Sequence, residues 1–203
     1  TVFGALQKTG GSIYYFGKEI SPKRPSDAIR LGISLVPEDR KEEGLFLSAS
    51  LYSNLMIAAV NTFTKYGIFQ KTKIQSICHD ISRRLHLNTE NLDLHAENLS
   101  GGNQQKISLG KWLVANSKLV IFDEPTRGID VGAKVEVYNV MNSLVKQGKC
   151  VIMVSSEMPE ILGMSDRVIV MRGGEVMAEV DRDSEHFNQE DLMKAAWGGK
   201  LDD

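Results

Sequence analysis

The chain has 203 residues, of which 42% are hydrophobic and 25% are charged, and its formal net charge is −2. This composition is typical of a globular domain and excludes disordered and fibrous classes, and the charge gives no electrostatic basis for binding nucleic acid. The two cysteines, Cys78 and Cys150, lack the spacing of a zinc site or a redox motif, which favours a reducing compartment. No apolar run is long enough to span a bilayer.

The first part of the chain predicts alternating strands and helices. Residues 1–6 have the pattern of the tail of a helix, and residues 12–16 are aromatic and β-branched, which predicts a strand. Pro25 opens a predicted helix that Gly32 ends, and residues 33–36 form a second predicted strand. Residues 51–87 then change to helical periodicity and predict an all-helical region.

Strand and helix alternation resumes after this helical region. The pattern predicts buried strands at 119–122 and 151–154, a helix at 133–145, a hairpin of strands 168–171 and 176–180, and a final helix at 189–196. Such alternation predicts an α/β fold with a mostly parallel sheet and helices on both of its faces. The helical middle is then interpreted as an inserted subdomain.

Ser100, Gly101 and Gly102 stand at the start of a predicted helix and form the first candidate site. The glycines let the backbone approach a phosphate closely, and the unpaired N–H groups of the first helical turn favour an anion. Taken alone, these three residues are weak evidence for an anion site, because a capped helix after a flexible turn has the same pattern.

Asp123 and Glu124 form the second candidate site, at the end of a predicted buried strand that Pro125 terminates. One carboxylate at the carboxyl end of a parallel strand can hold a magnesium ion, directly or through water. The other can orient or deprotonate a water that attacks a phosphoryl group. The alternative is an ordinary core strand that ends in an acidic turn.

The order and spacing of the two motifs resemble the ATPase domains of ABC proteins. LSGGNQQK at 99–106 resembles the signature motif, and LVIFDEPTRGID at 119–130 resembles the Walker B motif and D-loop. Residues 36–41 match the Q-loop region, and residues 154–157 match the switch-loop position. The residues of these motifs are similar to those of the C-terminal, second nucleotide-binding domain of ribose- and galactose-type sugar importers.

The resemblance implies a P-loop NTPase-like fold with an α-helical subdomain at 45–115 between core segments 1–44 and 116–203. It also implies that the N-terminal strand and phosphate-binding loop are absent here, because no GxxxxGK[ST] occurs in the 203 residues. Three further departures are Glu38 in place of glutamine, Ser156 in place of the switch histidine, and Asn103 in place of the signature glutamine. These substitutions suggest a weakened ATP site in this domain.

The family's roles, carried to matching positions, imply ATP and Mg²⁺ as cofactors. Asp123 would serve the metal and Glu124 the attacking water. The signature would bind the γ-phosphate held by a second domain, and Asp130 would couple the two sites. The residues that the resemblance assigns to the nucleotide are Ser100, Gly101, Gly102, Asn103, Glu38, Asp130 and Ser156.

The resemblance also implies the partners and the place of action. These are the N-terminal nucleotide-binding domain of the same polypeptide, membrane permease subunits and, indirectly, a periplasmic or extracellular sugar-binding protein, with no nucleic acid. The domain would act peripherally at the cytoplasmic face of the bacterial inner membrane. The alternatives are a non-catalytic regulatory or scaffold module, or a soluble ABC ATPase of repair or translation. The sequence contains neither the sustained heptads expected of a repair ATPase nor the basic stretch expected of a translation factor.

Overall fold

The computed structural model describes residues 1–65, 68–87 and 91–201, and these divide into two compact units, Thr1–Val154 and Ser155–Asp203. No helix in the described ranges is both long and apolar enough to cross a bilayer. The predicted partition into 1–44, 45–115 and 116–203 stays a prediction.

The first unit contains seven strands and six α-helices in the described ranges. In chain order these are β1 (Ile13–Tyr15), β2 (Lys18–Ile20), α1 (Pro25–Arg30), β3 (Ile33–Val36), α2 (Leu51–Met56), α3 (Val60–Phe63), β4 (Thr64–Lys65), β5 (Ile68–Phe69), α4 (Lys71–Arg84), α5 (Gly101–Val114), β6 (Leu119–Asp123), α6 (Val131–Lys146) and β7 (Cys150–Val154).

A parallel sheet of β3, β6 and β7 is the frame of the first unit, and β6 is its central strand. Val36 pairs with Phe122, and Asp123 pairs with Val154, so the carboxyl ends of all three strands meet at one edge. Phe122 is fully buried, as a central strand covered on its faces requires. The sheet thereby brings the residues that follow β3 to the same edge as Asp123.

The strand β7 differs from its prediction as a buried strand. It pairs with β6 on one side, and no other strand in the described ranges pairs with its second edge. Cys150 is exposed, and Ile152 and Val154 are 46% and 51% exposed. A continuous apolar run predicts burial from its own residues, whereas the exposure of a strand depends on which segments lie beside it.

The helical middle of the first unit has its own apolar core. Buried side chains from α2, α4 and α5 form it, among them Leu55, Ile74 and Ile107, each with no exposed area. Ser50 caps α2 by accepting a hydrogen bond from the backbone N–H of Ser53. The prediction of an all-helical region is wrong at one place, since β4 and β5 pair antiparallel within it.

Two further differences lie outside the helical middle. Residues 1–6 form turns and bends instead of the predicted helix tail, with Gly4 donating a backbone hydrogen bond to Thr1 at 2.9 Å. Among the described residues the parallel sheet has only three strands, and the other strands form separate antiparallel two-stranded ribbons. The mixed α/β class is confirmed, whereas the extent of parallel pairing is smaller than predicted.

The second unit is small and carries its own core. It contains α7 (Met158–Met164), β8 (Arg167–Arg172), β9 (Glu175–Asp181) and α8 (Gln189–Ala196), and β8 pairs antiparallel with β9. Asn188 caps α8 by accepting a hydrogen bond from the backbone N–H of Asp191 at 2.9 Å. Leu192 and Ala195 of α8 pack with Val168, Val170 and Val180 of the ribbon.

Candidate functional site

Asp123 and Glu124 lie at the carboxyl end of the central strand, as the sequence predicts. Both are half-buried. Glu124 has φ of 43°, a left-handed conformation that is rare for a residue with a β-carbon. Its backbone N–H donates to the carbonyl of Val154 at 2.9 Å, so the end of β7 holds this turn in place. Strained backbone of this kind is often found at functional sites.

The two carboxylates fit a magnesium site whose other ligands are substrate phosphates and water. Within the described residues, neither side chain has a hydrogen-bond or ion-pair partner, so both are available to a ligand. No cluster of three or more metal-ligating side chains occurs in those residues. Magnesium is usually held by one or two carboxylates together with substrate phosphates and water, so an isolated acidic pair suffices.

Ser100 and the glycines Gly101 and Gly102 form the N-terminus of α5, a helix of 14 residues. The Ser100 Oγ accepts from the backbone N–H of Asn103 at 3.5 Å. A β-carbon on Gly101 would lie 2.8 Å from Nη2 of Arg40, and one on Gly102 would lie 3.2 Å from Cβ of Ala133. The glycines therefore leave room where larger residues would contact neighbouring segments.

Asp130 lies beside this helix start. Its Oδ1 accepts from the backbone N–H of Ala133 at 3.0 Å and caps α6. Its Oδ2 would be 3.7 Å from a β-carbon on Gly102. The signature and D-loop positions are thus adjacent within the first unit, although they are about 30 residues apart in the chain.

Glu38 is positioned by an arginine that the sequence analysis did not assign to the site. It follows β3 at the same sheet edge as Asp123, and its carboxylate forms an ion pair with Arg127. Both side chains are largely exposed, so the pair contributes little to stability. Its consequence is local, because it ties the Q-loop position to the loop that follows Glu124.

Gln105 provides a second connection that the sequence analysis missed. Its Nε2 donates to the carbonyl of Pro125 at 2.8 Å, and the residue is 3% exposed. This hydrogen bond joins α5 to the loop after Asp123 and Glu124. The available signal was the polar Gln105 at a position where the helix is buried, since a buried amide requires a partner.

Arg40 is the third missed residue. Its guanidinium lies next to Gly101, and its buried Nε has no hydrogen-bond partner in the described structure. An unpaired donor on a cation beside a helix N-terminus suits an anion. Its signal in the sequence was only that it lies within the matched 36–41 segment.

Ser156 belongs to the second unit, where it is exposed ahead of α7. Its neighbour Ser155 donates through Oγ to Glu160 at 2.5 Å and accepts from the backbone N–H of Glu157 at 3.0 Å. These contacts order the segment before α7. The predicted nucleotide roles of Ser156 and Asn103 stay predictions.

Solved structures share the fold over nearly the whole chain. The ADP conformation of MJ1267, an ATP-binding cassette of an ABC transporter, superposes with a TM-score of 0.74 at 21% identity, over 97% of this chain and 76% of that one. The cbiO1 protein of Clostridium perfringens gives 0.74 at 22% identity, over 95% and 74% of the two chains. At these identities the likeness shows the fold.

Sequence relatives are closer. A Geobacillus kaustophilus protein named for ribose, galactose and methyl galactoside import is 47% identical over 198 residues, which is 98% of this chain and 39% of that protein. The ribose import ATP-binding protein RbsA of Bacillus licheniformis is 44% identical over 98% of this chain and 40% of its own length. The chain thus spans about 40% of the length of these relatives. The family model described as ABC transporter matches residues 1–127, so this chain belongs to the ABC transporter family.

Proposed function

We propose that this chain is part of the ATP-hydrolysing subunit of an importer for a monosaccharide. The observation that carries the proposal is the acidic pair Asp123 and Glu124 at the end of the central strand, joined through Gln105 to the glycine-rich start of α5. The names of relatives that are 44% and 47% identical support sugar import as the process.

In this proposal each residue acts on a bound nucleotide. Asp123 would hold Mg²⁺, and Glu124 would orient the water that attacks the γ-phosphate. When bound, the metal would neutralise part of the charge on the phosphoryl group. The fixed turn at Glu124 keeps its carboxylate oriented, because the neighbouring strand holds the backbone. Glu38 stands across the sheet edge, held by Arg127.

The start of α5 serves a different nucleotide in this proposal. Ser100, Gly101, Gly102 and Asn103 bind the γ-phosphate of an ATP that is held by the N-terminal nucleotide-binding domain of the same polypeptide. The backbone N–H groups and the helix dipole favour that anion. Asp130 lies next to Gly102 and couples this site to the domain's own site. Arg40 adds positive charge beside Gly101.

The two ATP sites are unequal in this proposal. Ser156 occupies the position of the switch histidine, and losing one preorganised donor to a transition state costs roughly a hundred- to a thousandfold in rate. The 203-residue chain alone is proposed to be inactive, because it contains no GxxxxGK[ST] to position the phosphates.

The partners follow from the import process. Permease subunits receive the domain at the cytoplasmic face of the bacterial inner membrane, where it is peripheral. A periplasmic or extracellular sugar-binding protein supplies the substrate indirectly, and nucleic acid plays no part. The segment from Glu38 to Leu51 is proposed as the surface that meets the permease.

The test measures steady-state ATP hydrolysis and sugar uptake with the protein at its natural length in its permease complex. Gly101→Asp places a carboxylate where the γ-phosphate would bind, and we expect loss of both activities. Gly10→Asp is the matched control, since a side chain there meets nothing within 4 Å. Glu124→Gln should be milder than the same change at the matching glutamate of the N-terminal domain.

Three results would contradict the proposal. Near-normal uptake in Gly101→Asp would show that the start of α5 does not bind the γ-phosphate held by the N-terminal domain. Equal losses from the two glutamate changes would show that the two ATP sites are equivalent. Magnesium-dependent hydrolysis by the 203-residue chain alone that disappears in Glu124→Gln would show that the chain needs no added phosphate-binding loop.

A further inference from the structure

A pocket lies between α4, α5 and α6, in the first unit and apart from the acidic pair. Its volume is about 380 Å³, and neither Asp123 nor Glu124 lines it. Ligand pockets in proteins usually have volumes between about 300 and 1,000 Å³, so this one suits a small organic molecule. It is called the α4–α5–α6 pocket below.

Four of the apolar side chains that line the α4–α5–α6 pocket are buried. Ile81 and Leu85 line it from the α4 side, Leu109 lines it from α5, and Val137 lines it from α6. Their exposed fractions are 6%, 4%, 2% and 2%. These four side chains are fixed by packing, and the apolar surface open to a ligand comes from Leu113 of α5 and Val140 of α6, which also line the pocket and are partly exposed.

The charged side chains that line the pocket are mainly cationic. Arg84, Lys106 and Lys149 line it, and Glu136 is the one carboxylate among its lining residues in the described ranges. Glu136 Oε2 lies 2.5 Å from Nζ of Lys106, so that lysine is neutralised by its neighbour. Among the described lining residues, Arg84 and Lys149 then have no carboxylate to neutralise them.

Lys149 is only partly exposed and carries a desolvated charge. Its Nζ donates to Oδ1 of Asn116 at 2.8 Å, which orients the ammonium without neutralising it. Burial lowers the pKa of Lys149 from its ordinary value. An anion beside this group would restore the interactions that its charge lost on burial.

We propose that the α4–α5–α6 pocket binds a small organic anion with an apolar body. The apolar body packs against Leu113 and Val140, and a carboxylate, sulfonate or phosphate group interacts with Arg84 and Lys149. The volume and the apolar lining fit the body of a small organic molecule, and the excess of positive charge favours an anion over neutral or cationic molecules.

Binding in this pocket would act on both helices that begin at the candidate site. Helix α5 begins at Gly101, and α6 begins directly after Asp130. The Lys106–Glu136 ion pair joins these helices beside the pocket. An anion that contacts both helices would change ATP hydrolysis by having different affinities for different arrangements of α5 and α6, a consequence that rests on the proposed function, whereas binding itself does not.

The experiment titrates the protein at its natural length with 1-naphthoate, followed by isothermal titration calorimetry. Arg84→Gln and Lys149→Gln should each weaken binding roughly tenfold, as expected for loss of one charge-assisted contact. The matched controls are Arg83→Gln, whose arginine pairs with Asp80 on the same helix, and Lys146→Gln at the end of α6. Neither control residue lines the pocket.

Two further arms make the result decisive. The neutral analogue 1-naphthalenemethanol should bind at least tenfold more weakly than 1-naphthoate. Asn139→Trp fills the pocket from an exposed lining position and should abolish binding without lowering the melting temperature. A folded Asn139→Trp variant that binds as the parent does, equal weakening in all four charge variants, or no saturable binding would overturn the proposal. Saturable binding with no ATP hydrolysis would instead count only against the proposed function.

Discussion

Lys111 on α5 is a cation held inside the first unit. It is 9% exposed, its Nζ donates to the carbonyl of Gly44 at 2.6 Å, and it lies over the ring of Trp112 at 5.1 Å. Burial nevertheless lowers its pKa to about 8. The unfolded chain therefore binds more protons at this group than the folded chain between about pH 8 and pH 10.5, so its contribution makes folding more favourable as pH rises through that range.

We expect Lys111→Met to remove this pH dependence. The free energy of unfolding of the parent should rise relative to the variant by about 1 to 3 kcal/mol between pH 8 and pH 10.5. Urea unfolding at several pH values measures the difference, in which the titrations shared by both proteins cancel. A constant difference across this range would show that Lys111 keeps an ordinary pKa.

Glu124 combines a proposed catalytic role with strained backbone. Its φ of 43° penalises any residue with a β-carbon, and glycine lacks that penalty. We expect Glu124→Gly to be more stable than Glu124→Ala by about 1 kcal/mol, while both lose the carboxylate and hence the proposed activity. Urea unfolding compares the two variants. A more stable alanine variant would mean that the turn relaxes when the carboxylate is removed.

Helix α5 is the element that joins the two parts of the candidate site. It begins at the glycine-rich turn and contacts the loop after β6 through Gln105. It is also buried along most of its length, with Ile107 at 0% and Leu109 at 2% exposed. Because this helix packs on several elements at once, a change at one end can be transmitted to the other.

The buried hydrogen bond of Gln105 can be tested by an isosteric change. Gln105→Met keeps the volume but leaves the carbonyl of Pro125 without its partner, and we expect a loss of about 1 to 3 kcal/mol in stability. Gln147→Met at an exposed position of the same first unit is the control and should change stability by less than about 0.5 kcal/mol. Equal effects would mean that water replaces the lost amide.

At the level of the whole chain, apolar cores are found in both units. The core of the helical middle includes Leu55, and that of the second unit includes Leu192, with 0% and 2% exposed. Each core is formed by residues of its own unit. Separate cores allow separate opening reactions, which hydrogen exchange can distinguish.

We expect truncation of one core to loosen mainly its own unit. Leu192→Ala should destabilise by about 2 to 5 kcal/mol and speed amide exchange in β8, β9 and α8. Leu55→Ala should instead speed exchange in α2, α4 and α5. Hydrogen-exchange mass spectrometry of both variants is the measurement. Uniform acceleration across the chain in either variant would show that the units open together.

Local patterns predicted several elements closely. The strand at 33–36 and the helix at 189–196 have the bounds that the sequence analysis gave, and the two motifs lie at a helix start and a strand end as expected. Apolar spacing, a capping asparagine and terminating glycines act within a few residues of the chain. The elements that they specify can therefore be predicted without knowledge of the rest of the fold.

Other features depended on residues far apart in the chain. The Glu38–Arg127 pair, the Gln105 hydrogen bond and the α4–α5–α6 pocket each require segments that only folding brings together. The short β4–β5 ribbon was missed because two-residue strands carry too little pattern to oppose helical periodicity. The sequence alone determined the α/β class, the family resemblance and the place of the acidic pair at a strand end, because each depends on contiguous residues. Tertiary structure decided which side chains meet, because contacts between distant segments are set by packing and not by local preference.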